Sequence, residues 1–285
     1  MIKIQGGLYS VETEKGIYFC KAKGIFRKEQ TEPVTGDFVD IKITHEKDRE
    51  GVIVKIHPRK NALMRPKVSN VDQSVLVFSV GLPPVNFDLL DRLIILSEQQ
   101  NLEIIIIINK MDTIETPEDS AVLAQVQNIY EKIGYPVIPA SALTGLGMSV
   151  LKKHLKNKVS VFAGPSGVGK SSLTNFLQSA VKMDVEHISA KGKRGRHTTR
   201  YSHLIEINEG YIVDSPGFSS LTFNFEGQEL AGFFREFEPY FDNCRFTHCS
   251  HISEPDCGIK DELGMNISMN RYNRYKDFYR EIKSR

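Results

Sequence analysis

An octapeptide near the middle of the chain constrains the fold more than any other feature of the sequence. It reads Gly164-Pro165-Ser166-Gly167-Val168-Gly169-Lys170-Ser171 and fits the pattern G-x-x-x-x-G-K-S/T. The apolar run 159–163 precedes it, and a helical pattern over 170–177 follows it. In that context the glycines let backbone N–H groups surround phosphates, Lys170 contacts the outer phosphates, and the Ser171 hydroxyl binds Mg²⁺. The motif, which Ser172 follows, therefore predicts a phosphate-binding loop for a nucleotide.

The sequence pattern changes twice along the chain and predicts a multi-domain protein. A length of 285 residues already favours about two domains. Residues 1–65 contain short alternating β-type stretches and 13 basic against 9 acidic residues. They predict a small all-β barrel of the kind that includes the oligonucleotide-binding OB-fold, with an SH3-like or purely structural barrel as the alternative. Residues 66–227 alternate buried strands with helical periods, which is typical of an α/β core, and residues 228–285 are mainly helical.

Hydrophobic periodicity predicts the elements of the α/β core. Apolar strands are predicted at 74–80, 103–108, 137–138, 159–163, 204–207 and 211–213. Helices are predicted at 88–99, 120–133, 149–155 and 170–177, with a basic C-terminal helix at 269–283. This alternation predicts a parallel sheet, and ligands of such sheets bind at the carboxyl ends of the strands.

The distribution of charge is more informative than the net charge. Lys and Arg number 37 against 35 Asp and Glu, which excludes no class of partner. The segment 189–201 nevertheless holds five cations and no acidic residue, so it can meet phosphates: Lys191, Lys193, Arg194, Arg196 and Arg200. The longest apolar run, 104–108, is far shorter than the ~18 residues of a membrane span, and the N-terminus lacks a signal-peptide pattern. We expect a cytoplasmic protein without a membrane partner.

A second motif indicates which base the nucleotide carries. Asn109-Lys110-Met111-Asp112 follows the predicted strand 103–108, where a loop can reach a ligand. Guanine offers two N–H donors to a bidentate carboxylate such as that of Asp112, whereas adenine would leave the carboxylate unpaired. Guanine is therefore favoured. Ser141 and Ala142, which follow the next predicted strand, would add a backbone contact to the guanine oxygen.

Two further elements fit a nucleotide that ends in a γ-phosphate. Asp214-Ser215-Pro216-Gly217 follows the apolar pair 212–213, so Asp214 can lie near Mg²⁺ and Gly217 near the γ-phosphate. Thr198 and Thr199 lie between the phosphate loop and Asp214, where a switch loop would supply a hydroxyl ligand to Mg²⁺. Taken alone, each of these elements is equally consistent with an ordinary turn or loop.

Cysteines are concentrated in the C-terminal segment with the spacing of a metal site. Cys244, Cys249, His251 and Cys257 supply three thiolates and one imidazole, a closed tetrahedral set for a structural Zn²⁺. Buried free thiols are the alternative, and His248 is a rival for the fourth ligand. Cys20 stands apart and is most simply a small buried apolar residue.

Together these motifs resemble the G1 to G5 set of a translation-factor-class GTPase, but in an unusual order. The elements at 109–112 and 141–142 precede the phosphate loop instead of following it. With a β-barrel before the core and a Cys/His cluster after it, this order is similar to that of the circularly permuted GTPases of the ribosome-associated RsgA (YjeQ) family. The resemblance covers essentially the whole chain.

The resemblance implies three domains and a ribosomal role. The domains would be an OB-fold RNA-binding domain at 1–65, a circularly permuted GTPase domain at 66–227 and a zinc-binding helical domain at 228–285. The small (30S) ribosomal subunit would stimulate GTP hydrolysis, and the protein would act in late maturation of that subunit through contacts with rRNA. The resemblance also points to His251 rather than His248 as the zinc ligand.

One departure from signalling GTPases affects the predicted mechanism. Phe218 follows Gly217, where those enzymes carry a glutamine that orients the attacking water, and a phenyl ring cannot do so. His197 is the nearest candidate replacement, and the resemblance supports it as the water-positioning residue. A solvated loop histidine in a basic stretch is the alternative.

Together these features predict a monomeric cytoplasmic GTPase. It would hydrolyse GTP to GDP with Mg²⁺ and carry one structural Zn²⁺ per chain. Lys170 and Mg²⁺ would neutralise phosphate charge, while Ser171 and a switch threonine hold the metal. The first alternative function is that of a P-loop kinase or ATPase acting on a small metabolite, but this function gives the 109–112 motif no role. A non-catalytic RNA-binding regulator with a structural nucleotide is the second.

Overall fold

The structure is a computed structural model of the chain, and it describes residues 1–28, 31–64, 66–186, 202–207, 209–214 and 221–284. Among the predicted site residues, His197, Thr198, Thr199 and Gly217 lie outside the described residues. The chain forms two compact units. Unit 1 comprises residues 1–75, 140–163 and 169–220, and unit 2 comprises residues 76–139, 164–168 and 221–285.

The described residues contain strands and helices close to those predicted. The strands are β1 (Lys3–Gln5), β2 (Leu8–Thr13), β3 (Gly16–Ala22), β4 (Val39–His45), β5 (Glu50–Ile56), β6 (Ala62–Met64), β7 (Lys67–Ser69), β8 (Gln73–Ser79), β9 (Glu103–Asn109), β10 (Val137–Pro139), β11 (Val159–Ala163), β12 (His203–Ile207) and β13 (Gly210–Asp214). The α-helices are α1 (Ile25–Lys28), α2 (Phe87–Gln99), α3 (Pro117–Tyr130), α4 (Met148–Leu155), α5 (Lys170–Glu186), α6 (Gly258–Asp261) and α7 (Met269–Lys283). Short 3-10 helices cover Met111–Thr113, Gly227–Phe233 and Glu238–Asn243. The predicted order of elements in the core is confirmed.

The N-terminal part of unit 1 is an all-β segment. Its strands follow the order β1-β2-β3-β5-β4, in which β3 and β5 are parallel and the other neighbouring pairs are antiparallel. Alternate side chains of these strands point into a small apolar core, which includes Val11, Tyr18, Cys20, Phe26 and Ile53. Cys20 is fully buried in that core, as predicted. The segment has the architecture expected of an OB-fold.

Strand pairing and hydrogen bonds connect the barrel to the rest of unit 1. Strand β1 pairs antiparallel with β12 at Lys3 and His203, and the hydroxyl of Thr35 donates to the carbonyl of Ser202 at 2.8 Å. β12 forms an antiparallel pair with β13, which runs parallel to β11. The strand that leads into the phosphate-loop motif and the barrel strands therefore belong to one continuous hydrogen-bonded array within this unit.

A buried carboxylate anchors the chain where it leaves the barrel. Asp37 is inaccessible to solvent and accepts hydrogen bonds from Arg59 Nε at 2.7 Å, Ser69 Oγ at 2.6 Å and the backbone N–H of Val34 at 2.8 Å. Because a buried charge is tolerated only when it is paired and hydrogen-bonded, this cluster fixes the β6–β7 hairpin against the loop before β4.

Unit 2 contains the strand order β10-β9-β8, with β9 and β10 parallel. Asn86 caps α2 by accepting the N–H of Leu89 at 3.0 Å. α3 begins at Pro117, three residues before the predicted start at 120, because Thr116 and Asp119 form a capping box that hydrogen-bonds the first backbone N–H groups. Local capping chemistry, rather than apolar spacing, determines where this helix starts.

The C-terminal part of unit 2 packs on α2 through aromatic rings and buried charge. Asp91 of α2 is fully buried and forms ion pairs with Arg271 and Arg274 of α7. It also accepts the hydroxyl of Tyr130 at 2.8 Å, while Glu236 pairs with Arg271. Much of the segment that was predicted as helical is 3-10 helix, since Gly227–Phe233 and Glu238–Asn243 follow the packing of a phenylalanine-rich core.

Among the described helices, none has both the length and the apolar character that a membrane crossing requires.

Candidate functional site

The first half of the phosphate-loop motif follows β11 and belongs to unit 2. Gly164 has a φ of +141°, and a Cβ at this position would lie 2.0 Å from the carbonyl oxygen of Val77 in β8. Only glycine combines that backbone conformation with so close an approach. The loop is therefore pressed against the neighbouring strand, and any larger residue at 164 would displace it.

The 109–112 motif contacts the phosphate loop directly. Asn109 is buried at the end of β9, and its Nδ2 donates to the carbonyl oxygen of Val168 at 2.8 Å. Lys110 has a left-handed φ of +64°, and Met111 and Asp112 lie in the 3-10 turn that follows, with Asp112 exposed. Within unit 2, the structure thus brings together the predicted base-recognition motif and residues 164–168.

The loop after β8, which is not among the predicted site segments, supports both motifs. Lys110 Nζ donates to the carbonyl oxygen of Leu82 at 2.7 Å, and a Cβ on Gly167 would lie 3.7 Å from Pro83 Cδ. Ser79 Oγ donates to the carbonyl of Pro83 at 3.0 Å, which holds the loop to its strand. The loop could have been predicted as part of the site, because it follows the carboxyl end of an apolar strand, where ligands of such sheets bind.

The second half of the motif opens α5 in unit 1. The carbonyl of Gly169 accepts the N–H of Leu173 at 3.0 Å, which closes the first helical turn. Lys170 is half-buried, and burial lowers its pKa; an adjacent phosphate would favour the charged ammonium and oppose that shift. Ser171 and Ser172 are exposed in the same turn. This helix N-terminus therefore presents an ammonium group, two hydroxyls and backbone N–H groups to an anion.

Ser141 and Ala142 lie in a tight turn of unit 1. The Ser141 side chain is buried, and its oxygen accepts the backbone N–H groups of Leu143 at 3.2 Å and Thr144 at 3.1 Å. A Cβ on Gly145 in this turn would lie 3.5 Å from the ring of Phe176 in α5. The hydroxyl of Ser141 therefore shapes the turn, which packs against the helix that follows the phosphate loop.

Asp214 is the last residue of β13, opposite His203 of β12. Because β13 is parallel to β11, with Val161 beside Val213, the backbone of Asp214 reaches the carboxyl edge of the sheet next to the strand that precedes the phosphate loop. Ser215 to Gly217 lie outside the described residues, as do the switch residues His197, Thr198 and Thr199.

The four predicted metal ligands meet in the C-terminal part of unit 2. The donor atoms of Cys244, Cys249, His251 and Cys257 all lie within 4.8 Å of one another. His251 Nδ1 lies 3.5 Å from the sulfurs of Cys244 and Cys257, and those sulfurs are 4.0 Å apart. A tetrahedral ion with metal–sulfur bonds of about 2.3 Å requires ligand separations of about 3.5–3.8 Å, so the donor set fits a metal ion. His248 is exposed and lies outside this group.

Burial shifts the pKa values of the candidate ligands. Burial raises the pKa of Cys249 to about 12 and also raises the pKa of Cys257. Burial lowers the pKa of His251. A central divalent cation would stabilise the thiolates and bind the neutral imidazole. It would therefore offset the free-energy cost of burying these groups together.

The loop that carries His251 is held by neighbouring side chains. Glu254 accepts the N–H and the hydroxyl of Ser250 at 2.8 and 2.9 Å. Burial alone would raise the pKa of Glu254, but these and other hydrogen bonds lower it to about 2. Tyr272 and Tyr275 of α7 donate their hydroxyls to the carbonyls of His251 and Ser250, each at 2.7 Å. These hydrogen bonds therefore fix the course of the loop that carries His251.

Comparison with known proteins identifies the family of this site. Residues 56–224 match the sequence model described as RsgA GTPase, and residues 1–53 match the RsgA N-terminal domain. A small ribosomal subunit biogenesis GTPase RsgA from Alkaliphilus metalliredigens is 45% identical over 286 residues, which cover 99% of this chain and 97% of that protein. The chain belongs to the RsgA GTPase family. It is accordingly a GTP-hydrolysing enzyme.

Solved structures agree with this membership of the RsgA family. YjeQ from Thermotoga maritima superposes with a TM-score of 0.86 at 35% identity, over 100% of this chain and 97% of that one. YloQ, described as a circularly permuted GTPase, superposes with a TM-score of 0.84 at 35% identity, over 99% and 93% of the two chains. The predicted permutation is confirmed, since the motifs after β9 and β10 precede the phosphate loop after β11. Permutation changes connectivity, whereas the strand-end loops keep their places.

We expect elemental analysis of the purified full-length protein to find one metal ion per chain. Cys249→Ser and His251→Ala should lower the metal content and the temperature at which the C-terminal segment unfolds, because ligation contributes folding energy. His248→Ala is the matched control and should leave both quantities unchanged. Metal-free protein with a cooperative C-terminal transition, or metal loss in the His248 variant alone, would contradict the assignment.

Proposed function

We propose that this GTPase binds and hydrolyses GTP at the predicted motifs and acts in late maturation of the small ribosomal subunit through contacts with rRNA. The observation that carries the site assignment is the 2.8 Å hydrogen bond from Asn109 to Val168, which joins the base-recognition motif to the phosphate loop. The ribosomal role is supported by relatives that are named small ribosomal subunit biogenesis GTPase RsgA and are 45% and 42% identical.

In this proposal each motif has one chemical task. Asp112 accepts the two N–H groups of guanine, Asn109 and Lys110 hold the loop around the base, and the turn at Ser141 and Ala142 contacts the guanine oxygen. Phosphoryl transfer needs mainly positioning and charge stabilisation. The residues proposed for it, together with the backbone of the phosphate loop, are Lys170, Ser171, Ser172, Thr198, Thr199, Asp214 and Gly217. When bound, Mg²⁺ neutralises charge on the outer phosphates.

The proposal assigns a role to each part of the chain. Residues 1–65 form the RNA-binding barrel, residues 66–227 the permuted GTPase and residues 228–285 the zinc-binding module. Zn²⁺ is proposed as the resident metal because three thiolates and one imidazole in a closed set are the ligands that it prefers. We further propose a monomer in the cytoplasm, with GTP, GDP and the small ribosomal subunit as its partners.

His197 is proposed as the residue that positions the attacking water. Phe218 occupies the place of the water-orienting glutamine of other GTPases. Five cations between 189 and 201 give this stretch the charge to contact rRNA phosphates, which would place His197 over the γ-phosphate only on the ribosomal subunit. Direct stimulation by an rRNA group or a metal ion is the alternative that the His197 variant tests.

Asp112→Asn should weaken GTP binding about tenfold to a hundredfold and shift the preference toward xanthosine nucleotides. The amide donates where the carboxylate accepted, and xanthine offers an oxygen at that position. Titration of both nucleotides against the wild-type and variant proteins measures the shift. Asp277→Asn, which changes an exposed carboxylate of α7, is the matched control. Unchanged GTP affinity in the Asp112 variant would refute the guanine assignment.

His197→Ala should remove most of the GTP turnover that small subunits stimulate, while changing GTP affinity little. Steady-state hydrolysis with and without purified small subunits measures the effect, and cosedimentation checks that the variant still binds the subunit. If the variant binds normally and its stimulated rate stays within a factor of about three, less than ~1 kcal/mol of barrier, His197 has no catalytic role.

A further inference from the structure

Ser79 is a buried serine at the end of β8 for which the proposed function has no role. It is inaccessible to solvent, and its Oγ donates to the carbonyl oxygen of Pro83 at 3.0 Å. The bond joins the strand to the residues that follow it, 80–86, which form the Leu82 loop. Pro83 and Pro84 have no backbone N–H, so this loop has fewer donors of its own and depends more on contacts such as the one from Ser79.

The Leu82 loop contacts the residue that opens the turn of Asp112. Lys110 Nζ donates to the carbonyl oxygen of Leu82 at 2.7 Å. The carbonyl of Lys110 accepts the backbone N–H of Thr113 at 2.9 Å and the hydroxyl of the same residue at 2.8 Å. These two bonds close the 3-10 turn that contains Asp112. The side chain of Lys110 therefore ties this turn to the Leu82 loop.

The backbone of Lys110 makes this support important. Its φ of +64° lies in the left-handed region, which a residue with a Cβ adopts only at a cost in free energy. Such a conformation persists where surrounding contacts fix it. The bond from Nζ to the carbonyl of Leu82 is a contact of this kind. It can fix Lys110 only as well as the Leu82 loop is itself fixed.

Pro83 of the Leu82 loop also lies beside the phosphate loop. A Cβ on Gly167 would lie 3.7 Å from Pro83 Cδ, an ordinary van der Waals distance. Pro83 is also the residue whose carbonyl accepts the hydroxyl of Ser79. Within unit 2, one buried hydroxyl therefore holds a segment that contacts both the 109–112 motif and the phosphate loop.

We propose that Ser79 is a positioning residue for base selection: by holding the Leu82 loop, it fixes Lys110 and thereby the carboxylate of Asp112 in the geometry that binds guanine. The inference rests on the proposed role of Asp112. A carboxylate that accepts two N–H groups discriminates between bases only while both hydrogen bonds fit at once. Loss of the Ser79 hydroxyl therefore weakens binding of guanine more than binding of a base that offers one of these groups.

Inosine diphosphate is the probe for this effect. Hypoxanthine keeps the N1–H of guanine but lacks its amino group. The ratio of the Kd for inosine diphosphate to the Kd for GDP therefore measures how well the second hydrogen bond to Asp112 is made. A serine with a purely structural role would change thermal stability, or both affinities together, and would leave this ratio unchanged.

Ser97 of α2 is the matched control. It is also inaccessible to solvent, and its Oγ donates to a backbone carbonyl, that of Leu93, at 2.8 Å. Ser79→Ala and Ser97→Ala therefore remove the same group and the same kind of bond from the same unit. The bond of Ser97 lies within α2, whereas the bond of Ser79 holds the Leu82 loop.

The test measures both Kd values and thermal unfolding for the full-length wild type, Ser79→Ala, Ser97→Ala, Lys110→Met and the double variant of Ser79 and Lys110. Ser79→Ala should lower the ratio about threefold or more, because one of the two bonds to guanine is weakened. Lys110→Met removes the ammonium but keeps an unbranched side chain, and it should lower the ratio at least as much. Ser97→Ala should leave the ratio unchanged. Because Ser79 acts through Lys110, the double variant should differ little from Lys110→Met.

Three results would overturn the inference: an unchanged ratio in Ser79→Ala or in Lys110→Met, an equal shift of the ratio in Ser97→Ala, or effects of Ser79→Ala and Lys110→Met that multiply in full in the double variant. If Ser79→Ala does not fold, Ser79→Cys takes its place, since a thiol is of similar size but a weaker donor.

The wild-type titration tests the proposed function separately. A wild type that binds GDP no better than inosine diphosphate overturns the assignment of guanine to Asp112 and this inference together. A wild type that prefers GDP leaves the variants to decide on Ser79 alone.

Discussion

One side-chain hydrogen bond, from Asn109 to the carbonyl of Val168, joins the two loops that we propose to recognise the nucleotide. Gly164 lets the same phosphate loop press against Val77 of β8, where any Cβ would collide with the backbone. The Leu82 loop supports the same arrangement from its other side through Lys110. These contacts depend on which strand ends are neighbours rather than on the order in which the chain visits them. Circular permutation therefore preserves the site while it changes the segments that lead into and out of it.

A buried charge network attaches the C-terminal part of unit 2, which carries the candidate metal ligands, to α2. Asp91 lies on the apolar face of α2 and is neutralised by Arg271 and Arg274 of α7, with Glu236 completing the pairing of Arg271. Removing one member of such a network typically costs about 3–5 kcal/mol, because the remaining charge stays buried without its partner. α7 also holds the metal-ligand loop through the hydroxyl of Tyr272. α7 therefore both packs on α2 and holds the loop that carries the candidate metal ligand His251.

Much of this could be predicted from the sequence, because the strongest signals are local. Continuous apolar runs such as 104–108 predict buried parallel strands, and the phosphate-loop and cysteine spacings each lie within fourteen residues. Long-range pairing could not be predicted in this way. Asp91 interrupts the run of apolar residues in α2, which is visible in the sequence, but its two arginine partners lie about 180 residues away and no local pattern identifies them. The same is true of the ion pair between Arg92 of α2 and Glu281 of α7, whereas the early start of α3 was readable from the Thr116 capping box.

In the proposed function, the small ribosomal subunit stimulates GTP hydrolysis, and one measurement tests this directly. Turnover of GTP and of ATP is followed with purified small subunits, with large subunits and with neither. We predict slow GTP hydrolysis alone, a marked increase with small subunits only, and no comparable turnover of ATP under any condition, since the 109–112 motif is proposed to select guanine. Equal stimulation by both subunits, or hydrolysis of ATP at the rate of GTP, would contradict it.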